Sequence, residues 1–278
     1  MSISGPAPRL SVSIVTYGSD LGLLEATVSS LADAAKTLGS RVTDSVRLSL
    51  IDNGPCDEAR SALLAQMAGA WPGGARLITG QGNVGYGRGH NLALSEPMGA
   101  YHLILNPDVE VAPDALDQAL AFMDAHPACG LLAPAVHDDG GRLQYLCKRR
   151  PTILDLFLRG FAPDWMRRHF SGRLDAYEMR DLIGEHDLVW DPSIVSGCFM
   201  LFRTNTLTQL GGFDPRYFLY FEDFDLSLRT AKVARLAYVP QVRIVHHGGG
   251  AARKGLGHVR MFVTSAAQFF HRHGWRWV

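Results

Sequence analysis

The 278-residue chain carries 27 Lys plus Arg against 27 Asp plus Glu, so its net charge is zero, without the basic excess of a general nucleic-acid binder. Hydrophobic residues make up 47%, enough to bury a sizeable α/β core. Four widely spaced cysteines, Cys56, Cys129, Cys147 and Cys198, form no Cys-x-x-Cys pair, which argues against a zinc site and a disulfide framework.

The first ten residues lack the apolar stretch of a signal peptide, and no apolar run approaches the ~18 residues of a membrane span. The cytoplasm is the expected compartment. Residues 10–17 (LSVSIVTY) are β-branched and apolar, as a buried strand should be. Asp20 can cap a helix running to Leu38, closed by Gly39. Residues 46–51 form a second strand and end in the turn Asp52-Asn53-Gly54-Pro55. A third strand, 75–79, enters the glycine-rich stretch 80–91, and a fourth, 101–105, ends in Asn106-Pro107-Asp108. Pro113 and Asp114 open a helix to about Ala125. Alternating strands and helices predict a mostly parallel sheet with ligands beyond the carboxyl ends of its strands. Thr16, Tyr17, Asp52, Asn53, Asn106 and Asp108 all fall at such ends.

The loop Gly80-Gln81-Gly82-Asn83-Val84-Gly85-Tyr86-Gly87-Arg88-Gly89-His90-Asn91 is neither a P-loop nor a dinucleotide fingerprint. Its glycines allow close backbone approach to a ligand, and the helix behind it can offer N–H groups to an anion. Residues 129–136 read as another strand. Between Tyr145 and Trp190 the pattern changes: Lys148-Arg149-Arg150-Pro151 precedes the apolar segment 153–161 and then Trp165-Met166-Arg167-Arg168-His169-Phe170. This segment reads either as a solvated helical insertion or as a cleft wall facing an anionic, partly apolar ligand.

Residues 195–203, with Gly197, form a strand, 204–210 a short helix, and Gly211-Gly212-Phe213-Asp214-Pro215 a turn. Glu222, Asp223 and Asp225 then crowd into four positions among aromatic residues. Like charges in apolar surroundings resist ionisation. Acids are also welcome at a helix N-terminus, and Arg229, four residues after Asp225, suits an ion pair. A helix to about Ala234 is followed by a predicted strand pair, 235–239 and 242–246, and by His246-His247-Gly248-Gly249. In the tail, Val259, Phe262, Val263, Ala266, Phe269 and Phe270 recur at helical spacing beside Arg260, Arg272, Trp275, Arg276 and Trp277. Such a helix packs on the domain or rests on an anionic membrane leaflet.

Taken in order, Val-Thr-Tyr, Ile-Asp-Asn-Gly, Asn-Val-Gly-Tyr-Gly-Arg-Gly-His-Asn, Leu-Asn-Pro-Asp-Val, Gly-Cys-Phe-Met-Leu-Phe-Arg, Gly-Gly-Phe-Asp, Phe-Glu-Asp-Phe-Asp-Leu-Ser-Leu-Arg and His-His-Gly-Gly resemble family-two inverting glycosyltransferases of the GT-A fold. The likeness is strongest to bacterial rhamnosyltransferases of O-antigen and cell-wall assembly. It implies a single α/β domain over residues 1–278, with a donor half at about 10–128, an acceptor and catalytic half at about 129–250, and a basic amphipathic helix at about 251–278. Thr16, Tyr17, Asp52, Asn53, Asn83, Gly85, Asn106 and Asp108 would bind the nucleotide-sugar donor, Asp52 on its pyrimidine base. Asn106-Pro107-Asp108 stands where relatives carry Asp-x-Asp, so Asp108, completed by His246 or the adjacent His247, would hold Mg²⁺ or Mn²⁺; His246 is favoured. Relatives often have Ser shortly after the glycines, where this chain has Ala251-Ala252.

A leaving nucleoside diphosphate needs its charge neutralised, and the acceptor hydroxyl needs a carboxylate base. The resemblance makes Asp223 that base, with Glu222 its rival, and Gly197, Glu222 and Asp225 acceptor contacts. The implied donor is dTDP-L-rhamnose. The implied acceptor is a glycan or polyprenyl-diphosphate-linked sugar, met in peripheral contact with the inner face of the plasma membrane through Lys148, Arg149, Arg150 and the tail. A nucleotidyltransferase and a non-catalytic nucleotide-sugar or glycan binder are the competing readings.

Overall fold

The computed structural model describes residues 9–38, 46–55, 57–72, 74–95, 98–248 and 255–278. Ten strands among them are β1 (Leu10–Thr16), β2 (Val46–Asp52), β3 (Ala75–Ile78), β4 (Tyr101–Leu105), β5 (Val109–Val111), β6 (Cys129–His137), β7 (Leu143–Gln144), β8 (Val189–Trp190), β9 (Phe199–Arg203) and β10 (Arg235–His246). The helices are α1 (Leu21–Thr37), α2 (Glu58–Ala70), α3 (Tyr86–Ala93), α4 (Ala115–Ala125), α5 (Ile153–Gly160), α6 (Asp164–His169), α7 (Ser171–Tyr177), α8 (Thr204–Leu210), α9 (Glu222–Thr230) and α10 (Gly255–His273).

One sheet runs in the order β3-β2-β1-β4-β9-β6-β10-β5, so both halves of the chain share it. The first four strands are parallel, as the alternating pattern predicts. Beyond them the expectation of a mostly parallel sheet gives way to a mixed one. β9 enters antiparallel to both β4 and β6, and β5 closes the edge antiparallel to β10. The predicted pair 235–239 and 242–246 is a single strand, β10, with a register irregularity between Val239 and Arg243. Pro240 there has no N–H to donate, and the break in the ladder accommodates it. Asp20 caps α1 as expected, its Oδ1 accepting from the N–H groups of Gly22 and Leu23 at 2.8 and 3.1 Å. Gly39, the expected close of that helix, lies outside the described residues, as do Cys56 and Ala251-Ala252.

The short strand β5, not foreseen in the sequence, is fixed from both sides. β10 pairs with one edge, matching His246 to Val109. On the other, the Val109 and Val111 N–H groups donate to Thr27 Oγ1 and Ser30 Oγ of α1, each at 3.1 Å. Two hydroxyls thus do the work of a neighbouring strand and hold the residue before β5, Asp108, in place.

Beneath the glycine-rich loop the core holds two wholly buried imidazoles. Ser13 Oγ lies 2.7 Å from His90 Nδ1 and 2.9 Å from His102 Nε2, and Ser11 Oγ lies 2.8 Å from His102 Nδ1. Burial pushes both rings toward the neutral form, His102 to about 3, and His102 lowers His90 further. In the unfolded chain they take up protons near 6.5, so stability is intact above that pH and falls as pH drops toward 3. We predict that Tm falls steadily over this window. His102→Gln should flatten the decline by about 1.4 kcal/mol for each pH unit in which only the unfolded imidazole is protonated. Scanning calorimetry from pH 4 to 7.5 reads both.

Candidate active site

On the donor side the strand ends form one rim, because β1 and β2 are in register with Thr16 opposite Asp52. Arg60, from α2, ties them together. Its Nη2 donates to Thr16 Oγ1 at 2.8 Å, and its Nε lies 3.4 Å from Asp52 Oδ2. Asn53 is a correction: it is buried and uses both ends of its amide internally. Its Nδ2 donates to Gly85 O at 3.0 Å, and its Oδ1 accepts from Gln81 at 3.1 Å. Asn83 Oδ1 likewise accepts from the Gly85 N–H at 3.1 Å. Both asparagines shape the loop that the glycines make possible. Gly85 itself has φ 88°, and a Cβ there would lie 2.3 Å from Phe218 O. Tyr17 is exposed on the rim.

Asp108 and His246 meet because β5 and β10 are paired, with His246 Nε2 3.4 Å from Asp108 Oδ1. Gly248 leaves the space around them open: a Cβ there would fall 2.3 Å from Asp108 Oδ2 and 2.7 Å from His246 Nε2. His246 Nδ1 is buried without a hydrogen-bond partner. His247 faces the other way, its two ring nitrogens 2.5 Å from Asp139 and 2.8 Å from Glu110. Among the described residues no cluster of three His, Cys, Asp or Glu side chains could hold a metal. An oxygen-and-imidazole pair with open space beside it still suits a hard cation whose remaining ligands are phosphate oxygens and water.

Glu222 and Asp223 open α9; Glu222 is buried, while Asp223 is half-buried at the edge of a cavity. Burial raises both carboxyls, and the neighbouring charge of Asp223 raises Glu222 further. For Asp223 the rise is opposed by two backbone donors, Gly197 N–H to Oδ2 and Phe224 N–H to Oδ1, each 2.9 Å, and by the charge of Lys148. Glu222 Oε2 is buried with no hydrogen-bond partner. Of the two, Glu222 is held more firmly toward its protonated form, while the backbone donors favour the charged form of Asp223. Gly197, expected to touch the acceptor, instead gives its N–H to Asp223 and its carbonyl to the Tyr86 hydroxyl.

Asp225 is a second correction. It points away from its neighbours into the protein, fully buried, with Arg229 Nε at 2.7 Å, His273 Nε2 at 2.8 Å and Arg272 Nε at 3.4 Å. The anticipated Asp225–Arg229 pair is present, but the site is too enclosed for an acceptor contact. This cluster fastens α9 to α10, as does an aromatic core of Tyr217, Phe221, Phe269 and Phe270 with Leu156. The two residues before Glu222 are strained. Tyr220 and Phe221 have φ values of 69° and 64°, a conformation bulky side chains avoid, costing about 1–3 kcal/mol each. Packing sustains it: Phe221 stacks at 5.1–5.3 Å from Phe224, Phe262 and Phe269, and the Tyr220 hydroxyl lies 2.8 Å from His258 Nδ1.

Above Glu222 and Asp223 a cavity of about 1020 Å³ opens between α9, α10 and α5–α7. Leu156, Phe161 and Phe262 give it apolar walls, and its arginines stand among acids: Arg159 and Arg180 share Glu178, Arg180 also reaches Asp175, and Arg167 pairs with Asp164, with Arg168 beside them. The insertion is thus a cleft wall. Lys148-Arg149-Arg150 is not a free basic patch. Lys148 is buried, donates to Tyr145 O at 2.8 Å, and has its pKa pushed down to about 7, first by burial and then by Arg159. Arg149 forks onto Asp181 at 2.9 and 2.6 Å. The tail helix packs on the domain through Phe269 and Phe270, while Trp275 and Trp277 stay exposed. Sequence reasoning missed Tyr86, Lys148 and His273. Tyr86 lay in a loop read through its glycines, Lys148 within a charge run, and His273 far along the chain from the acid it meets.

Strand-end residues on one rim, a mixed sheet entered by β9, and acids at the start of α9 define a GT-A glycosyltransferase. The sequence profile described as "Glycosyl transferase family 2" matches residues 11–210. The N-acetylglucosaminyl-diphospho-decaprenol L-rhamnosyltransferase of Mycobacterium tuberculosis is 30% identical over 216 residues, which is 73% of this chain and 66% of that protein. Rhamnosyltransferase WbbL of Escherichia coli K12 is 25% identical over 202 residues, 69% of this chain and 70% of its own. The chain belongs to glycosyl transferase family 2. Among solved structures, GalNAc-T7 with UDP, GalNAc and Mn²⁺ shares the fold at TM-score 0.67 and 15% identity, over 96% of this chain and 48% of its own. The Pyrobaculum calidifontis mannosyltransferase PcManGT, in complex with GDP-Man and Mn²⁺, does so at 0.63 and 19%, over 96% and 64%.

Removing Asp225 would take the carboxylate from the largely buried Arg229 and His273, while Arg272 keeps Asp214. We predict that Asp225→Ala costs about 3–5 kcal/mol of stability, read by urea denaturation.

Proposed function

We propose that this protein is an inverting glycosyltransferase that moves L-rhamnose from dTDP-L-rhamnose onto a lipid-linked sugar acceptor. The carrying observation is Asp223: a carboxylate at the floor of a large cavity, aimed by two backbone N–H groups, with a protonated Glu222 beside it. The rhamnosyl donor is supported by the names of both sequence relatives. The acceptor class is supported by the cavity, where Arg168, beside the paired Arg159, Arg167 and Arg180, suits a diphosphate and the apolar wall suits an isoprenoid chain. Phe157, Phe161 and Trp165, exposed on and beside α5 and α6, offer an apolar edge for contact with a membrane surface. Family membership sets aside the nucleotidyltransferase and the non-catalytic binder.

In this reading the donor lies along the rim of Thr16, Asp52 and Asn106, against the loop held open by Gly85. The acceptor hydroxyl enters from the cavity and faces Asp223. Its oxygen attacks the anomeric carbon from the side opposite the diphosphate and gives its proton to Asp223. The bond from that carbon to the diphosphate oxygen breaks, and its electron pair leaves with the nucleoside diphosphate. Asp108 and His246 would hold Mg²⁺ or Mn²⁺, which supplies positive charge to the departing diphosphate. Glu222, keeping its proton, accepts or donates a hydrogen bond to the acceptor without adding a second negative charge at the base.

Asp223→Asn keeps the shape and removes the basicity. Turnover should fall by about 10² to 10⁴-fold, with dTDP-L-rhamnose affinity near that of the parent by calorimetry. Full turnover in this variant would overturn the assignment. Asp108→Ala should abolish the gain in donor affinity that Mn²⁺ confers in the same titration. Equal donor binding with and without EDTA in the parent protein would remove the metal from the reading.

A further inference from the structure

Tyr86 stands where every part of the site meets. It is the first residue of α3, directly after Gly85. Its backbone N–H donates to Phe218 O at 3.1 Å, which ties the glycine-rich loop to the segment leading into the acids. Its ring sits edge-on to His90 and Phe213, with centroids 4.5 and 5.9 Å away. Its hydroxyl lies 2.6 Å from Gly197 O and 2.9 Å from Asn106 Oδ1. The Gly197 N–H, on the other side of that residue, donates to Asp223 at 2.9 Å.

A phenol has one proton and cannot donate to two acceptors at once. The shorter contact, to the Gly197 carbonyl, takes it. An amide presents either end within the same outline, so Asn106 satisfies the phenol by turning its NH₂ toward the oxygen. An aspartate at 106 could only accept, and would compete with Gly197 for the proton. The departure from Asp-x-Asp and the presence of Tyr86 are therefore one feature: Asn106 leaves the phenol free to hold Gly197. Burial, then the charges of Glu222, Cys198, Asp223 and Asp108, hold the hydroxyl well above its ordinary pKa, so it remains a donor.

We propose that Tyr86 is a positioning residue for the base, holding the Gly197 carbonyl and so fixing that residue's backbone, whose N–H aims Asp223 at the acceptor, and that Asn106 orients the Tyr86 hydroxyl for this task. The inference rests on the reading of Asp223 as the base. It also gives the donor loop a direct hold on the acceptor side, since the residue that opens the loop's helix sets the geometry of the carboxylate.

The test is a double-mutant cycle in full-length protein, with dTDP-L-rhamnose and a diphosphate-linked sugar acceptor, using Tyr86→Phe, Asp223→Asn and the pair. Tyr86→Phe keeps the ring contacts and the backbone bond to Phe218. Alone it should lower kcat by about tenfold, the scale of one hydrogen bond, with donor KM and Tm close to the parent's. In the Asp223→Asn background it should change kcat by less than about twofold, because the group it positions is gone. An unchanged kcat in Tyr86→Phe overturns the proposal. So does the same fold loss in both backgrounds, or a loss accompanied by a raised donor KM and a lowered Tm, which marks a purely structural role. An active Asp223→Asn protein overturns the base assignment first, and is told apart by needing no Tyr86 variant.

Discussion

Two carboxyls, the buried Glu222 and the half-buried Asp223, sit side by side at the head of α9, and much of the surrounding architecture serves to keep them there. Water would solvate both cheaply; the interior does not, and a lone buried pair would simply take up protons. The protein resolves this asymmetrically. Backbone donors from Gly197 and Phe224 go to Asp223, none reaches Glu222 Oε2, and the buried Lys148 adds positive charge felt by Asp223. Two acids of nearly identical chemistry thereby meet different surroundings, the charged form being favoured by donors at Asp223 and disfavoured at Glu222.

Holding that arrangement falls to elements distant in sequence. The left-handed turn at Tyr220 and Phe221 is unfavourable on its own and persists because Phe221 is locked among Phe224, Phe262 and Phe269. Asp225, the third acid of the same turn, faces the opposite way, paired with Arg229 and Arg272 and in hydrogen-bond reach of His273. One short helix thus has a reactive side and an anchoring side, three residues out of nine carrying the distinction.

The sequence showed the strands of the parallel half almost to the residue, because β1, β2 and β4 are short stretches rich in Val, Leu and Ile and ended by turn chemistry. It did not show β5, three residues long and stabilised by side chains of α1 rather than by its own pattern. It did not show the antiparallel entry of β9, since strand direction leaves no trace in hydrophobic periodicity. Residue type and place singled out Asp108, His246 and Asp223, and the structure brings Asp108 beside His246 and sets Asp223 next to Glu222 at the head of α9. Asn53, Asn83 and Asp225 were the right kind of residue with side chains turned to internal partners, and only the hydrogen-bond geometry separates these from ligand-facing groups. Tyr86 was invisible for the converse reason: a tyrosine among glycines carries no motif, and its significance lies in partners 20 and 111 positions away.

The bond between Asp225 and His273 closes a loop of 48 residues. Until α10 has been synthesised and has docked, Asp225 has only Arg229 beside it and the Phe221 ring lacks Phe269. The anchoring side of α9, and the packing that sustains the left-handed turn before it, thus depend on residues lying 48 positions further along the chain, so α9 reaches its final setting only once α10 has docked.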